Sequence, residues 1–296
     1  MMQRLDWQRD GEEWPNRHAS GFVESGGIVW HVQHMGAGPV ALLLHGTGSA
    51  THSWRELAPL LARHFQVLAP DLPGHGFTGM LPGHRMSLRG MAWGVAELLR
   101  TLRLRPAIAV GHCTGAAVLA RMCLDGTLSP RSLIALNGAL LAQHNVAGRL
   151  FAPIARLLAS TTLASRLLAW RARDPAAVRR LIERTGSRLQ PGGLACYERL
   201  ARSPGHVEAA LTTMANWNPH ALECDLPRLR TPLLTVWATN DRTLPRAQPA
   251  ALRRLLPRSR AEELEGLGHL AHEEQPRRVA ELILREARHQ GVLLAV

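Results

Sequence analysis

The stretch Gly111-His112-Cys113-Thr114-Gly115 constrains the fold more than any other part of the chain. Ala107 to Val110, just before it, is a short apolar run of strand character, and Ala116 to Leu124, just after it, is apolar and helix-compatible. Gly-x-Cys-x-Gly between strand and helix predicts a sharp turn that holds its central residue in a strained conformation and displays it. The positions two before and two after must be small, because side chains there would strike the neighbouring strand and helix. Both are glycine here, Gly111 and Gly115. The usual central residue of such a turn is serine; this chain carries Cys113.

Around that turn, strand-like and helix-like segments alternate. Phe22 to Glu24 and Ile28 to Val32 predict a hairpin across Gly26-Gly27. Val40 to Leu44, Phe65 to Ala69, Leu133 to Leu136 and Leu233 to Ala238 predict strands covered on both faces, and Ala261 to Leu264 a further short one. Met91 to Leu104, Cys113 to Leu124 and Val279 to Glu286 predict helices. Such alternation implies an α/β fold, a mostly parallel central sheet with helices on both faces. Residues 144–225 break the pattern. They are rich in Leu, Ala and Arg and contain no convincing strand, so they predict a helical cap inserted into a core of residues 1–143 and 226–296. Leu150 to Trp170, with Arg149, Arg156 and Arg166, predicts an amphipathic helix that either packs as part of the cap or lies on an anionic membrane surface.

With 296 residues, 46% apolar and 20% charged, the chain has enough to bury a large core, which excludes a disordered protein. Met1 to Glu13 is polar and carries acids, and no apolar run is long and charge-free enough to span a bilayer, which predicts a cytoplasmic location with at most peripheral membrane contact. The formal charge is +12, and every basic residue is arginine. That balance fits a solvated surface or an anionic partner, whether a carboxylated substrate, an acidic protein or a membrane surface. Nucleic acid is not expected: the arginines are scattered, aromatics make up 4%, and no helix-turn-helix, zinc-finger or aromatic-basic sheet pattern is present. The four cysteines form no Cys-x-x-Cys pair, and Cys123, Cys196 and Cys224 are expected to pack within helices.

The chemistry-bearing residues fall at predicted strand ends. His45-Gly46-Thr47-Gly48 leaves the strand Val40 to Leu44, where a glycine-rich turn aims backbone N–H groups at the sheet's C-terminal edge. The N–H groups of Thr47 and of Thr114 are the candidate donors to a developing oxyanion. Asp241 follows Leu233 to Ala238, and His269 follows the last short strand in Gly266-Leu267-Gly268-His269. In this arrangement His269 takes the proton of Cys113 and returns it to the leaving group, while Asp241 holds the imidazole tautomer. A helix N-terminus and a nearby imidazolium both favour a thiolate, so cysteine is a chemically sound nucleophile there. His45, His75 and His112 stand in glycine-flanked turns and are expected to buttress loops, and Asp71 to brace its own. Asn137 ends a strand and cannot act as an acid. His269 and His272 lack a third ligand, so no metal is expected there, and no cofactor is expected for the chain.

The set His45 to Gly48, Asp71 to Gly76, Gly111 to Gly115, Asp241 and His269, in that order, resembles the α/β-hydrolase superfamily over nearly the whole chain. The resemblance implies the α/β-hydrolase fold with a cap in its usual place. Trp14 to Arg17, Gly74 to Thr78, Met86 to Leu88, Leu136 to Leu140 and Gly266 to Glu274 further resemble the magnesium-chelatase accessory family of bacteriochlorophyll biosynthesis. That resemblance implies a role near the insertion of Mg²⁺ into protoporphyrin, with magnesium chelatase as partner. The family carries serine at the elbow, so Cys113 is a departure. Three readings follow. The first is ester or thioester hydrolysis or acyl transfer through Cys113, His269 and Asp241. The second is a non-catalytic scaffold that binds a carboxylated tetrapyrrole or a chelatase subunit. The third is a general carboxylesterase-like hydrolase. Dehalogenase and epoxide hydrolase chemistry is disfavoured, because those relatives need an aspartate at the elbow.

Overall fold

In the computed structural model, which describes residues 3–142 and 162–294, eight strands form one sheet. They are β1 (Ser20–Ser25), β2 (Ile28–Met35), β3 (Val40–Leu44), β4 (Gln66–Pro70), β5 (Ile108–His112), β6 (Ser132–Leu136), β7 (Leu233–Ala238) and β8 (Arg260–Leu264). Their order across the sheet is β1-β2-β4-β3-β5-β6-β7-β8. The pairs β1–β2 and β2–β4 are antiparallel, and all others are parallel. Gly26 and Gly27, both at positive φ, close the β1–β2 hairpin, as a two-residue turn with right-handed strand twist requires.

Alternation along the strands makes the two layers. On β3, Leu42 and Leu44 join one core with Leu68, Val95, Leu98 and Val118, while Ala41 and Leu43 join the other with Leu57, Val67, Val110 and Ile283. The helices Leu88–Leu102 and Thr114–Leu124 cover the first face, and Leu57–Leu61 and Pro276–His289 the second. Ser87 caps the first of these by accepting the Gly90 N–H, so that helix starts three residues before the expected Met91.

Between β6 and β7 the described chain is helical: Thr162–Arg171, Pro175–Arg184, Pro191–Ala201, Pro204–Ala215 and His220–Asp225. Three of these begin on proline, whose fixed φ and missing N–H suit a helix start. Of the amphipathic helix expected over 150–170, residues 150–161, with Arg156, lie outside the described residues, as does Arg149. In the described part Leu163, Leu167 and Trp170 are exposed. Cys196 is buried in its helix and Cys123 half-buried, but Cys224 is exposed, because the short helix His220–Asp225 turns Leu222 inward instead. Among the described residues no helix is long and apolar enough to cross a membrane.

The N-terminal segment, read only as polar, is tied to the core. Arg4 donates to the carbonyls of Gly74 and Thr78, and Trp7 packs its ring against Phe22, His31 and Phe77.

Candidate active site

Cys113 sits between β5 and the helix Thr114–Leu124 with φ 50° and ψ −116°. A non-glycine residue adopts that conformation only where the surroundings over-determine it. Here they do. A Cβ on Gly111 would stand 2.4 Å from the Ala116 nitrogen, and one on Gly115 would stand 2.2 Å from the Leu44 oxygen. The Cys113 N–H donates to Leu136 O at 3.1 Å, and its carbonyl accepts from Ala139 N at 2.9 Å.

His269 and Asp241 come to the same edge. His269 Nδ1 lies 2.8 Å from Asp241 Oδ2, and both side chains are buried. Asp241 Oδ1 accepts the N–H groups of Thr243 and Leu244 at 2.7 and 3.2 Å, so its carboxylate is held from both sides. The other ring nitrogen, Nε2, is left for Cys113. Burial disfavours a charge on the His269 ring, yet the Cys113 charge, the Asp241 bond and a hydrogen bond with Cys113 prevail and raise its pKa to about 10. The same burial pushes the Cys123 and Cys196 thiols up to about 11, which keeps them inert.

Thr47, the other candidate donor, lies across from Thr114 and not facing open space. Its N–H donates to Thr114 Oγ1 at 2.8 Å. Thr114 is the first residue of its helix, so its own N–H has no intrahelical partner.

Several groups position this edge: His112 buttresses a loop as its glycine-flanked turn implies, while the roles of Asn137 and of the turn at Gly186 carried no signal legible one residue at a time. Asn137, at φ 41° after β6, donates through Nδ2 to the carbonyls of Gly268 and His269 and accepts the Ala238 N–H on Oδ1. His112 donates from Nε2 to the His269 carbonyl at 3.0 Å, and burial together with His272 and His269 lowers its pKa well below the ordinary range, leaving it neutral. The turn Thr185-Gly186-Ser187 threads between the loops of Asp241 and His269. Thr185 O accepts from Arg242 N and His269 N, and Ser187 Oγ accepts from Leu270 N. The contact is tight enough that a Cβ on Gly186 would meet Asn240 O at 1.9 Å and one on Gly268 would meet the Gly186 carbonyl carbon at 2.3 Å.

Behind His269 lies a buried polar cluster. Glu273 pairs with Arg55 and accepts from Ser53 at 2.7 Å and from Tyr197 at 2.6 Å. Because the Ser53 hydroxyl proton is spent on Glu273, Ser53 must accept from His272 Nε2, 2.8 Å away. On the other side Asp71 accepts from Thr51 N and Phe77 N and pairs with His31 Nδ1 at 2.7 Å. Burial opposes its charge, but His31 holds it well below the usual carboxylate range. His45 accepts the Leu72 N–H on Nε2 and donates to Gly46 O, so it and Asp71 brace the loops on which Thr47 stands.

A model of the alpha/beta hydrolase family matches residues 41–282. The chain belongs to that family. Within it, the chain is 36% identical over 262 residues to the magnesium-chelatase 30 kDa subunit of Rhodobacter capsulatus, an alignment covering 88% of this chain and 91% of that relative. An alpha/beta hydrolase fold protein from Burkholderia ambifaria superposes with TM-score 0.77 at 23% identity, covering 96% of this chain and 100% of that one. A thermophilic esterase from Thermogutta terrifontis does so with TM-score 0.72 at 24% identity, covering 92% and 98%. At those identities the two likenesses concern the hydrolase fold alone.

Proposed function

We propose that this alpha/beta hydrolase cleaves or transfers the acyl group of an ester or thioester, with Cys113 as nucleophile, His269 as general base and acid, and Asp241 as the group that orients His269. One observation supports the reading: the buried imidazole that bonds Asp241 through Nδ1 is also the ring whose pKa Cys113 raises, and Cys113 is strained onto a helix N-terminus.

In the resting pair the Cys113 proton is held on His269 Nε2, and the Sγ thiolate forms a bond to the carbonyl carbon as the C=O π pair moves onto oxygen. Collapse re-forms the C=O and expels the alcohol or thiol, which takes the proton from His269. Water, deprotonated by the same nitrogen, then attacks the acyl-cysteine, releasing the acid and restoring the thiolate. The described helices between Thr162 and Asp225 would act as the cap over this edge and set the acyl or leaving-group preference.

Two measurements test this. Stopped-flow mixing with p-nitrophenyl butyrate should give a burst of about one nitrophenolate per chain, absent in Cys113→Ala. Iodoacetamide at neutral pH should label Cys113 faster than a model thiol, with Cys123 and Cys196 unlabelled by mass spectrometry. No burst and ordinary labelling at Cys113 would remove the enzyme reading.

The likeness to a magnesium-chelatase subunit supports a second, compatible role as an accessory to that chelatase. Complementation of a deletion strain shows whether the accessory role needs the Cys113 chemistry. Full restoration of pigment synthesis by Cys113→Ala would favour a scaffold that binds a tetrapyrrole or a chelatase subunit.

A further inference from the structure

The two threonines beside Cys113 form a closed pair. Thr47 N donates to Thr114 Oγ1 at 2.8 Å, and the two hydroxyl oxygens are 3.0 Å apart. Thr47, Cys113 and Thr114 are half-buried while Gly46, Ser49, His112 and Gly115 around them are buried, so the pair occupies the accessible spot next to the thiol. The loop passes close: a Cβ on Gly46 would stand 3.0 Å from the Cβ of Cys113.

Counting protons shows what the pair offers. It holds two hydroxyl protons and makes one hydroxyl–hydroxyl bond, so one proton is left over. When the Thr47 hydroxyl is the donor, Thr114 Oγ1 accepts both from it and from the Thr47 N–H. The leftover proton is then the one on Thr114, and both incoming bonds polarise it.

We propose that the Thr114 hydroxyl, charged by the amide and hydroxyl of Thr47, is the second oxyanion donor of this site, taking the place that the Thr47 N–H fills when it is open. The inference rests on the hydrolase reading above. As Sγ bonds the carbonyl carbon and the π pair moves onto oxygen, that oxygen accepts from the Thr114 N–H and the Thr114 O–H. On collapse the pair returns to the C=O bond, and the hydroxyl proton stays on Thr114 throughout. Thr47 is the positioning residue and Thr114 the catalytic one.

Kinetics of the full chain with p-nitrophenyl butyrate test it. Thr114→Val removes the proton but keeps a methyl group against the Thr47 N–H. Its kcat and kcat/KM should fall together by about 10²-fold, the signature of a bond made only in the transition state. Thr114→Ser, which keeps the hydroxyl, should stay within a few-fold of wild type. Thr114→Ala uncovers the Thr47 N–H and should fall between the two. Thr114→Val at wild-type rate, or Thr114→Ala above it, overturns the proposal, the latter because it makes the hydroxyl a plug. If the wild-type chain itself shows no Cys113-dependent burst, the hydrolase reading fails and takes this inference with it; an active wild type with an indifferent Thr114→Val sinks the hydroxyl alone.

Discussion

His269 Nδ1 stands 2.8 Å from Asp241 Oδ2, a contact made across 28 residues of chain by two loops that leave neighbouring strands. The carboxylate receives two backbone N–H groups on its other oxygen, so it cannot turn away from the ring. Asp241→Asn should leave the fold intact and present the wrong tautomer of His269 to Cys113. Ester turnover should fall by about 10²- to 10⁴-fold with KM little changed, measured by steady-state kinetics. Unchanged turnover would show that Asp241 does not orient His269.

Gly268→Ala places a methyl group 2.3 Å from the Gly186 carbonyl carbon, backbone against backbone. The His269 loop and the Gly186 turn would have to separate. The urea midpoint should drop by the equivalent of about 1–3 kcal/mol, and kcat should fall further than that loss of folded protein explains. A variant with wild-type stability and kcat would mean that the Gly186 turn yields.

Glu273 is buried and pairs with Arg55, whose side chain is itself nearly buried. Glu273→Ala strips the partner from that guanidinium and should destabilise by about 3–5 kcal/mol. Tyr197→Phe removes one hydrogen bond to a charged acceptor and should cost about 1.5–3 kcal/mol. Chemical denaturation of both variants ranks them; equal stability would mean that Glu273 carries no charge in the native protein.

Acid should unfold the protein early. Six buried histidines, His45, His52, His75, His112, His206 and His272, have pKa values lowered by desolvation; for His206 and His272 the values are about 4 and about 3. Below about pH 6.5 the unfolded chain binds protons that the native state refuses, so stability falls as pH falls. Each such group contributes up to about 1.4 kcal/mol per pH unit down to its native pKa. His269 acts in the opposite sense. Its raised pKa gives stability that is complete below about pH 6.5 and lost as pH rises through about 10. The urea midpoint should therefore fall steeply between pH 6.5 and 4; a flat profile there would mean that these rings are not buried neutral.

The strands and the elbow were legible because their signals are local. Leu233 to Ala238 matches its strand residue for residue, and the closing helix starts at Pro276, three residues before the expected Val279, because a proline can open a helix without joining its apolar pattern. The helix Gln248–Leu255 was missed; its inward face amounts to little more than Gln248 and Leu252, too few for a periodic pattern. The Glu273 cluster draws on Arg55 and Tyr197, 218 and 76 residues away, and no spacing rule connects them. Asn137 was noted for what it cannot do. Its clamp on the His269 carbonyl emerges only when β6 and β7 pair.

The amino-acid sequence by itself determined the alternation of elements, the strained turn at Cys113 and the placing of Asp241 and His269 just past strand ends, because each depends on neighbours within a few residues. Only the tertiary structure decided that the Thr47 amide is spent on Thr114, that Gly186 and Gly268 touch, and that a buried carboxylate stands behind His269. Those facts depend on ångström-scale approach between segments far apart in the chain, and packing, not local propensity, sets that approach.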